Sequence, residues 1–525
     1  MPLHLQNYPE YISLLIPTSD FFMPLITSIV NWLNFKRVTQ IELIRKYPEQ
    51  VQKESFTYLV DKAVNTTWGR DHCFDEIQSV KDFQQAIALQ TYEDTKPFVE
   101  RIRNGESNLL WPGEIKWFAK SSGTTNDKSK FIPVSRDALE KCHFRGGKDV
   151  LALYTTSYPD SKMFSGKGLT LGGSHKVDNF NNQSYYGDLS AILIENLPFW
   201  TEFIRTPSQE VALLDKWEEK LEKIAKETVK ENVTSIAGVP SWNLVMIKYI
   251  LEYYKKSHLL EIWPNLELFI HGGVSFAPYR EQFNKYIPSE NMHYLEAYNA
   301  SEGFFAIQDD PAIDDLLLML DYGIFYEFIP IEEFGNKDAT VHTIDTVETG
   351  KNYALVISTN SGLWRYIIGD TIIFNSLYPH RIRITGRTKH YINVFGEEII
   401  VDNADKALKE ASRKTGAQIT DYTVGPVFMA DNTKGRHEWA IEFVVSPGSI
   451  DEFGYILDEA LMNINSDYEA KRYKNITLDK PLIRAVPKGT FYRWMEKRGK
   501  LGGQNKVPRL FNNRKYLDDI LEMID

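Results

Sequence analysis

Hydrophobic positions along the first hundred residues recur at helical spacing. Leu43, Ile44, Tyr47, Val51, Phe56, Leu59 and Val60 fall on one side of successive turns, which predicts a helical opening. From about residue 115 the pattern changes. Ile115–Lys120 reads as a strand, a Ser/Gly/Thr-rich loop follows, and Phe131–Val134 reads as a second strand. Near Thr206 the spacing predicts a helix. Thr206 can cap it, Pro207 suits its first position and Gln209 completes a capping-box spacing. Val211, Leu214, Trp217, Leu221 and Ile224 would then form its apolar face.

Beyond Pro264 come short apolar runs closed by glycine. Leu266–Ile270 ends at His271-Gly272-Gly273, and His293–Tyr298 ends at Asn299-Ala-Ser-Glu-Gly303. Tyr353–Ser358 and the alternating Arg381–Thr385 are two more strand candidates, the second ending at Gly386. Toward the C-terminus the pattern predicts a helix over 403–413 stopped by Gly416, a strand over 438–445 and a helix over 450–465. A Gly/Lys-rich segment, Gly499–Arg509, closes this smaller unit, and its boundary is expected near 386–390. Residues 21–35 are apolar but broken by Pro24, Asn31 and Asn34, and the first Lys or Arg is Lys36. That order fits neither a signal peptide nor a membrane span, so a helix docked on the body is expected.

A length of 525 residues suggests three or four units at about 150 residues each, and two or three are expected, because large α/β enzymes fuse subdomains around one site. Hydrophobic residues make up 43% and aromatics 13%, which excludes disorder as the overall state. No repeat at a period of about 20–50 residues appears, so solenoids are excluded. The net charge of −11 argues against a general nucleic-acid binder. Two cysteines without a CxxC pair argue against a zinc knuckle or disulfide framework and fit a reducing cytoplasm. His72, His143 and His175 show no metal-ligand spacing.

Five segments carry candidate chemistry. In Lys120-Ser-Ser-Gly-Thr-Thr-Asn-Asp-Lys-Ser-Lys130, backbone N–H groups, hydroxyls and lysines can wrap an oxyanion. It is not a Walker A loop, and a polar hairpin turn has the same composition. In Tyr298-Asn-Ala-Ser-Glu-Gly303, Glu302 offers Mg²⁺ a hard carboxylate, or the segment is a strand-ending turn. Trp364-Arg-Tyr-Ile-Ile-Gly-Asp370 puts an aspartate at a strand end, suited to two ribose hydroxyls or to a plain turn. Ile384-Thr-Gly-Arg387 with Lys389 sits on the expected boundary. Gln504-Asn-Lys506-Val-Pro-Arg509 holds a lysine in a loop, or is a solvated basic tail. A serine-hydrolase reading of His271-Gly-Gly and Asn299-Ala-Ser301-Glu-Gly303 lacks the first glycine of GxSxG.

Taken in order, these segments resemble the GH3 family of acyl-acid amido synthetases, within the adenylate-forming group. Residues 121–130 resemble its first nucleotide motif and Tyr298–Glu302 its second. Tyr366–Asp370, running through to Arg387, is similar to the third, and Gln504–Arg509 to the C-terminal lysine motif. Ile262–Asn265 and His271–Gly273 stand in the expected order, and the resemblance covers roughly residues 36–525. Asn126-Asp127 stands where the wider group usually places glycine, and no acyl-pocket residue carries over.

The resemblance implies an α/β fold. A large N-terminal adenylation domain, 1–387, would combine β-sheets flanked by helices with a β-barrel-like part, behind an N-terminal helical segment. A small mobile α+β domain, 388–525, would carry the catalytic lysine and hinge near Thr388-Lys389. It implies ATP and Mg²⁺, a small carboxylic acid and an amino acid as substrates, and no nucleic acid or stable membrane partner. The acid would be adenylated with release of pyrophosphate, and the amine would then displace AMP; an acyl-CoA synthetase sharing the first step is the alternative. Ser121, Ser122, Gly123, Thr124, Thr125 and Lys130 would hold the phosphates, with Tyr298 and Ser301 also on the nucleotide. Glu302 would hold Mg²⁺, and Gly272 and Gly273 would let backbone approach adenine. Asp370 with Arg387 would fix the ribose, and Lys506 would stabilise charge during adenylation.

Overall fold

The structure is a computed structural model. It describes residues 36–122, 129–173, 178–179, 184–214, 216–274, 276, 279–388, 391–429, 433–472, 478–498 and 507–524. The helix expected at 21–35, His175 and the hinge residue Lys389 lie outside these, as does most of the Gly/Lys-rich segment.

The opening is helical, as its spacing predicts. Residues 36–46 are helical, followed by helices Pro48–Ala63 and Tyr92–Arg103. Strands then follow in chain order: β1 (Trp117–Ser122), β2 (Ser129–Val134), β3 (Lys167–Thr170), β4 (Asp178–Asn179), β5 (Tyr185–Gly187), β6 (Arg205–Thr206), β7 (Val233–Gly238), β8 (Leu268–His271), β9 (His293–Ala300) and β10 (Gly303–Ile307). After them come β11 (Leu316–Leu318), β12 (Ile324–Pro330), β13 (Asn352–Thr359), β14 (Tyr366–Leu377) and β15 (His380–Arg387).

Eleven of these strands form one sheet, ordered β12-β13-β14-β15-β11-β10-β9-β8-β7-β3-β6. From β12 to β9 neighbours are antiparallel; from β9 through β8, β7 and β3 to β6 they are parallel. The parallel strands end on one side of the sheet, at Leu171–Gly173, Gly238, Gly272–Gly273 and the β9–β10 turn. In open α/β sheets that is the side where ligands collect. A smaller sheet, β2-β1-β5-β4, brings the Ser/Gly/Thr-rich loop to the same molecule.

The helix expected to start at Thr206 is different in the structure. Thr206 belongs to β6, where it pairs with Leu169 of β3. Helix begins only at Gln209, stops at Ala212 and resumes over Trp217–Thr228. Sheet pairing takes the backbone that would have capped a single helix. Val211, Leu221 and Ile224 remain buried, so the apolar face survives the break.

The helical opening is tied to the antiparallel half by polar contacts. The Gln52 amide donates to the carbonyls of Leu320 and Ile324, both at 2.9 Å, and its oxygen accepts from Tyr326 N–H at 2.9 Å. Arg365 pairs with Glu327 at 3.0 Å, both buried, and donates to the Ile87 carbonyl. Phe56, Phe83, Trp111, Phe325 and Trp364 pack around these ties.

The C-terminal unit holds a hairpin, β16 (Tyr391–Ile392) with β17 (Ile399–Ile400), and a sheet of β18 (Gln418–Val427), β19 (Arg436–Val445) and β20 (Leu482–Val486). Helices Val401–Thr415 and Ile450–Ile464 bury Ala404, Ala407, Leu408, Phe453, Leu457 and Leu461 with Trp439 and Ile441 of β19. Gly416 ends the first helix with φ of 70°, the left-handed cap that glycine supplies at no steric cost. This core is continuous with that of the parallel strands. Tyr279 OH donates to the Val394 carbonyl at 2.7 Å, and the Gln282 amide to that of Met429 at 2.6 Å.

Replacing Glu327 with leucine leaves Arg365 buried without its countercharge. The expected loss is about 3–5 kcal/mol of unfolding free energy, read as a lower urea midpoint at unchanged slope.

Candidate active site

The β9–β10 connection is a two-residue hairpin. Ala300 pairs with Gly303 and Asn299 with Phe304, leaving Ser301 and Glu302 as the turn. A Cβ at Gly303 would lie 2.8 Å from Ile324 Cδ1 and would have to push that methyl aside. A nucleophile elbow turns from strand to helix; this one turns from strand to antiparallel strand, so the hydrolase reading fails on geometry.

Tyr298 stands before that turn and is buried. Its hydroxyl donates to Asp370 Oδ2 at 2.5 Å. Burial, and then the Asp370 charge, push the Tyr298 hydroxyl well above its ordinary pKa, so it stays a neutral donor. Asp370 lies within β14 rather than at a strand end, because β14 continues through an irregularity after Thr371. Its cross-strand partner is Arg387 of β15, whose Nε donates to Asp370 Oδ1 at 2.9 Å. Gly369 and Gly386 flank this pair with φ of 98° and 150°, backbone open to glycine and strained for other residues. Arg387 reaches on to Glu398, beyond β15, at 3.3 Å.

Glu302 faces the same space. Burial raises its carboxyl pKa, Lys130 and Arg387 oppose that rise, and Asp370 adds to it. Lys130 on β2 stands opposite Ser121 on β1. Among the described residues no group of three or more His, Cys, Asp or Glu side chains is arranged to hold a metal. A single carboxylate such as Glu302 still fits Mg²⁺, which commonly takes one or two carboxylates and completes its shell with phosphate oxygens and water.

One strand further, β8 ends at His271, and Gly272 passes close to β9: a Cβ there would lie 2.2 Å from the Ala297 carbonyl oxygen. Gly273 has φ of 81°. The His271 ring stacks on Phe276 with centroids 4.3 Å apart. Burial, helped by Arg280, depresses its pKa to about 3, so it is neutral.

The structure therefore gathers Ser121, Lys130, Tyr298, Ser301, Glu302, Asp370 and Arg387, with Gly272 and Gly273 one strand away. Gly123, Thr124, Thr125, Lys506 and the Ser122 side chain lie outside the described residues.

A second group adjoins the first and was not anticipated from sequence. Asp467 and Lys471 lie on helix Ser466–Arg472. Burial lifts the Asp467 pKa to about 7, Glu398 and Asp188 adding to the rise and Lys471 and Lys120 opposing it. Burial lowers the pKa of Lys471, against the pull of Asp467, Asp188, Glu397 and Glu398. Lys471 Nζ sits 4.2 Å from the centroid of Trp242, in the first turn of helix Pro240–Tyr254 after β7. An acid and a base four apart on a short polar segment look like any solvated helix face. The one available signal is Gly396-Glu397-Glu398, an acidic pair behind a glycine in an otherwise apolar stretch.

Comparison with known proteins finds one family along the chain. Residues 37–292 match the GH3 family N-terminal domain, 317–387 the GH3 family central domain and 402–515 the GH3 family C-terminal domain. An indole-3-acetic acid-amido synthetase of Arabidopsis thaliana is 23% identical, over 93% of both chains. A jasmonoyl-L-amino acid synthetase of Oryza sativa is also 23% identical, over 90% of this chain and 94% of its own. Among solved structures, an acyl acid amido synthetase in complex with 2,4-DB superposes with a TM-score of 0.62 at 16% identity, covering 94% of this chain and 96% of its own. A 2-hydroxyisobutyryl-CoA ligase with 2-HIB-AMP and CoA, in its thioesterification state, gives 0.52 at 11%, covering 93% and 92%. Both share the fold.

Asp467 generates a stability test. In the folded chain it holds its proton to about pH 7, against 3.8 ordinarily. Between those values the folded state binds more protons than the unfolded one, so stability falls as pH rises through that window. Asp467→Asn should flatten that fall, measured by urea unfolding at a series of pH values.

Proposed function

The chain belongs to the GH3 family, and from that premise we propose that it is an ATP-dependent acyl-acid amido synthetase. A small carboxylic acid attacks the α-phosphorus of ATP, giving acyl-AMP and pyrophosphate. An amino acid amine then attacks the acyl carbon, forming an amide and releasing AMP. The observation that carries this reading is the hydrogen-bonded Tyr298–Asp370–Arg387 array, with Glu302 under the charges of Lys130, Asp370 and Arg387.

The residues divide the work by charge. Asp370, held by Tyr298 and Arg387, presents a fixed carboxylate to the two ribose hydroxyls. Gly272 and Gly273 let backbone lie flat against adenine, since no Cβ intervenes. The loop from Ser121 through Ser122, Gly123, Thr124 and Thr125 to Lys130 donates to the phosphates, with Ser301 beside it. Glu302 would hold Mg²⁺, which when bound supplies positive charge to the polyphosphate. The first step brings two anions together, so cationic groups that meet the transition state lower its barrier. Lys506, carried by the C-terminal domain, fills that role with Lys130.

The chain divides into a large adenylation domain, 1–387, and a small domain, 388–525, that pivots near Thr388 between the two steps. No helix of the described residues is long and apolar enough to cross a membrane. Cys73 is exposed and unbridged, which suits a reducing cytoplasm.

The decisive experiment incubates the protein with ATP, Mg²⁺ and pools of carboxylic acids, with amino acids or CoA as acceptor, and detects AMP by mass spectrometry. AMP that requires an acid and an amino acid, with a conjugate of their summed mass less water, is expected. AMP formed only with CoA would move the protein to thioester formation. Lys506→Ala should slow adenylation by about 10²–10³-fold, the loss typical of one transition-state contact; a variant adenylating normally overturns its role. Asp370→Ala should raise the KM for ATP, and unchanged nucleotide binding by calorimetry overturns the ribose assignment.

A further inference from the structure

Beyond Arg387, through Glu398, lies a group of charges that adenylation does not use. Asp467 and Lys471 project from one helix, one turn apart, a spacing that puts both on the same face. Against them stand Glu398 from the β16–β17 hairpin, Asp188 after β5 and Lys120 on β1. Glu397, which also acts on Lys471, is committed elsewhere: it accepts from Val394 N–H, Phe395 N–H and His437. Lys471 is held in place by the Trp242 ring at 4.2 Å and by bare backbone at Gly396, where a Cβ would lie 3.0 Å from its Cε. Glu398 joins this group to the ribose-facing pair through Arg387 at 3.3 Å.

We propose that this seam receives the acceptor as a zwitterionic amino acid, with Lys471 meeting its carboxylate and Asp467 meeting its ammonium and removing a proton. The inference rests on the amido synthetase reading. An amino acid carries opposite charges one carbon apart, and the helix presents opposite charges one turn apart. Four carboxylates and two lysines surround the space, an environment that repels the phosphates of CoA and admits an ammonium. The chemistry balances. The ammonium gives one proton to the Asp467 carboxylate, and the freed lone pair forms the C–N bond to the acyl carbon. The bond from acyl carbon to phosphate oxygen breaks, its electrons leave on AMP, and the second nitrogen proton passes to water. A carboxylate that titrates near neutrality can take up that proton and release it again on each turnover.

The test compares full-length wild type, Asp467→Asn and Asp467→Glu. Acid-dependent exchange of pyrophosphate into ATP reads the first step; amide formation against amino acid concentration reads the second. For Asp467→Asn the loss in amide formation should exceed the loss in exchange at least tenfold. The amino acid KM should rise, the acidic limb of the pH–rate profile should disappear, and Asp467→Glu should recover part of the rate. Equal losses in both steps would mean that the charges only hold the seam together, and would overturn the proposal. Unchanged amide formation with intact exchange would overturn it alone, leaving the amido synthetase reading standing. A wild type that makes no AMP with any acid would overturn both.

Discussion

One guanidinium joins the two parts of this molecule. Arg387 ends the last strand of the large sheet, grips Asp370 across the β14–β15 pair and reaches Glu398 in the C-terminal unit. Asp370 adds to the rise in the Glu302 pKa, and Arg387 opposes it. Arg387 holds Asp370 in place, and because it also meets Glu398, the geometry at Asp370 is tied to the C-terminal unit. Planar guanidinium suits such bridging better than a lysine ammonium, since its several N–H groups point along fixed directions.

The sheet supports this arrangement by changing character along its width. Its parallel half delivers glycine-rich strand ends to one side, and its antiparallel half delivers side chains from the middle of long strands. Tyr298 sits at the changeover, on the strand that is parallel to β8 and antiparallel to β10, and Glu302 in the turn that follows it. The hairpin after it places Glu302 without a loop to order, so little conformational entropy is lost at that point.

Much of this was legible in the residues. Alternating apolar runs closed by glycine located β8, β9, β13 and β15, and Gly416 marked the end of its helix. The residues that gather around Asp370 and Glu302 were picked out by motif order, which carries more information than composition. What sequence did not reveal was pairing: nothing in the chain says that Tyr298 meets Asp370, because sheet register joins positions far apart in sequence. The helix expected from Thr206 failed because sheet pairing overrode a good local capping signal. Asp467 and Lys471 were invisible for the opposite reason. Their local pattern was ordinary, and only burial against Asp188, Lys120 and Glu398 sets them apart.

The contact between the two units is of two kinds. At Tyr279–Val394 and Gln282–Met429 it continues an apolar core, while at Lys471, Asp467, Glu398 and Arg387 it is ionic. Apolar burial strengthens on warming from the cold, whereas half-exposed charges are screened within about 8 Å at physiological ionic strength. Temperature and salt therefore act on different ends of one seam. Raised salt weakens the ionic end of this contact and leaves its apolar end in place.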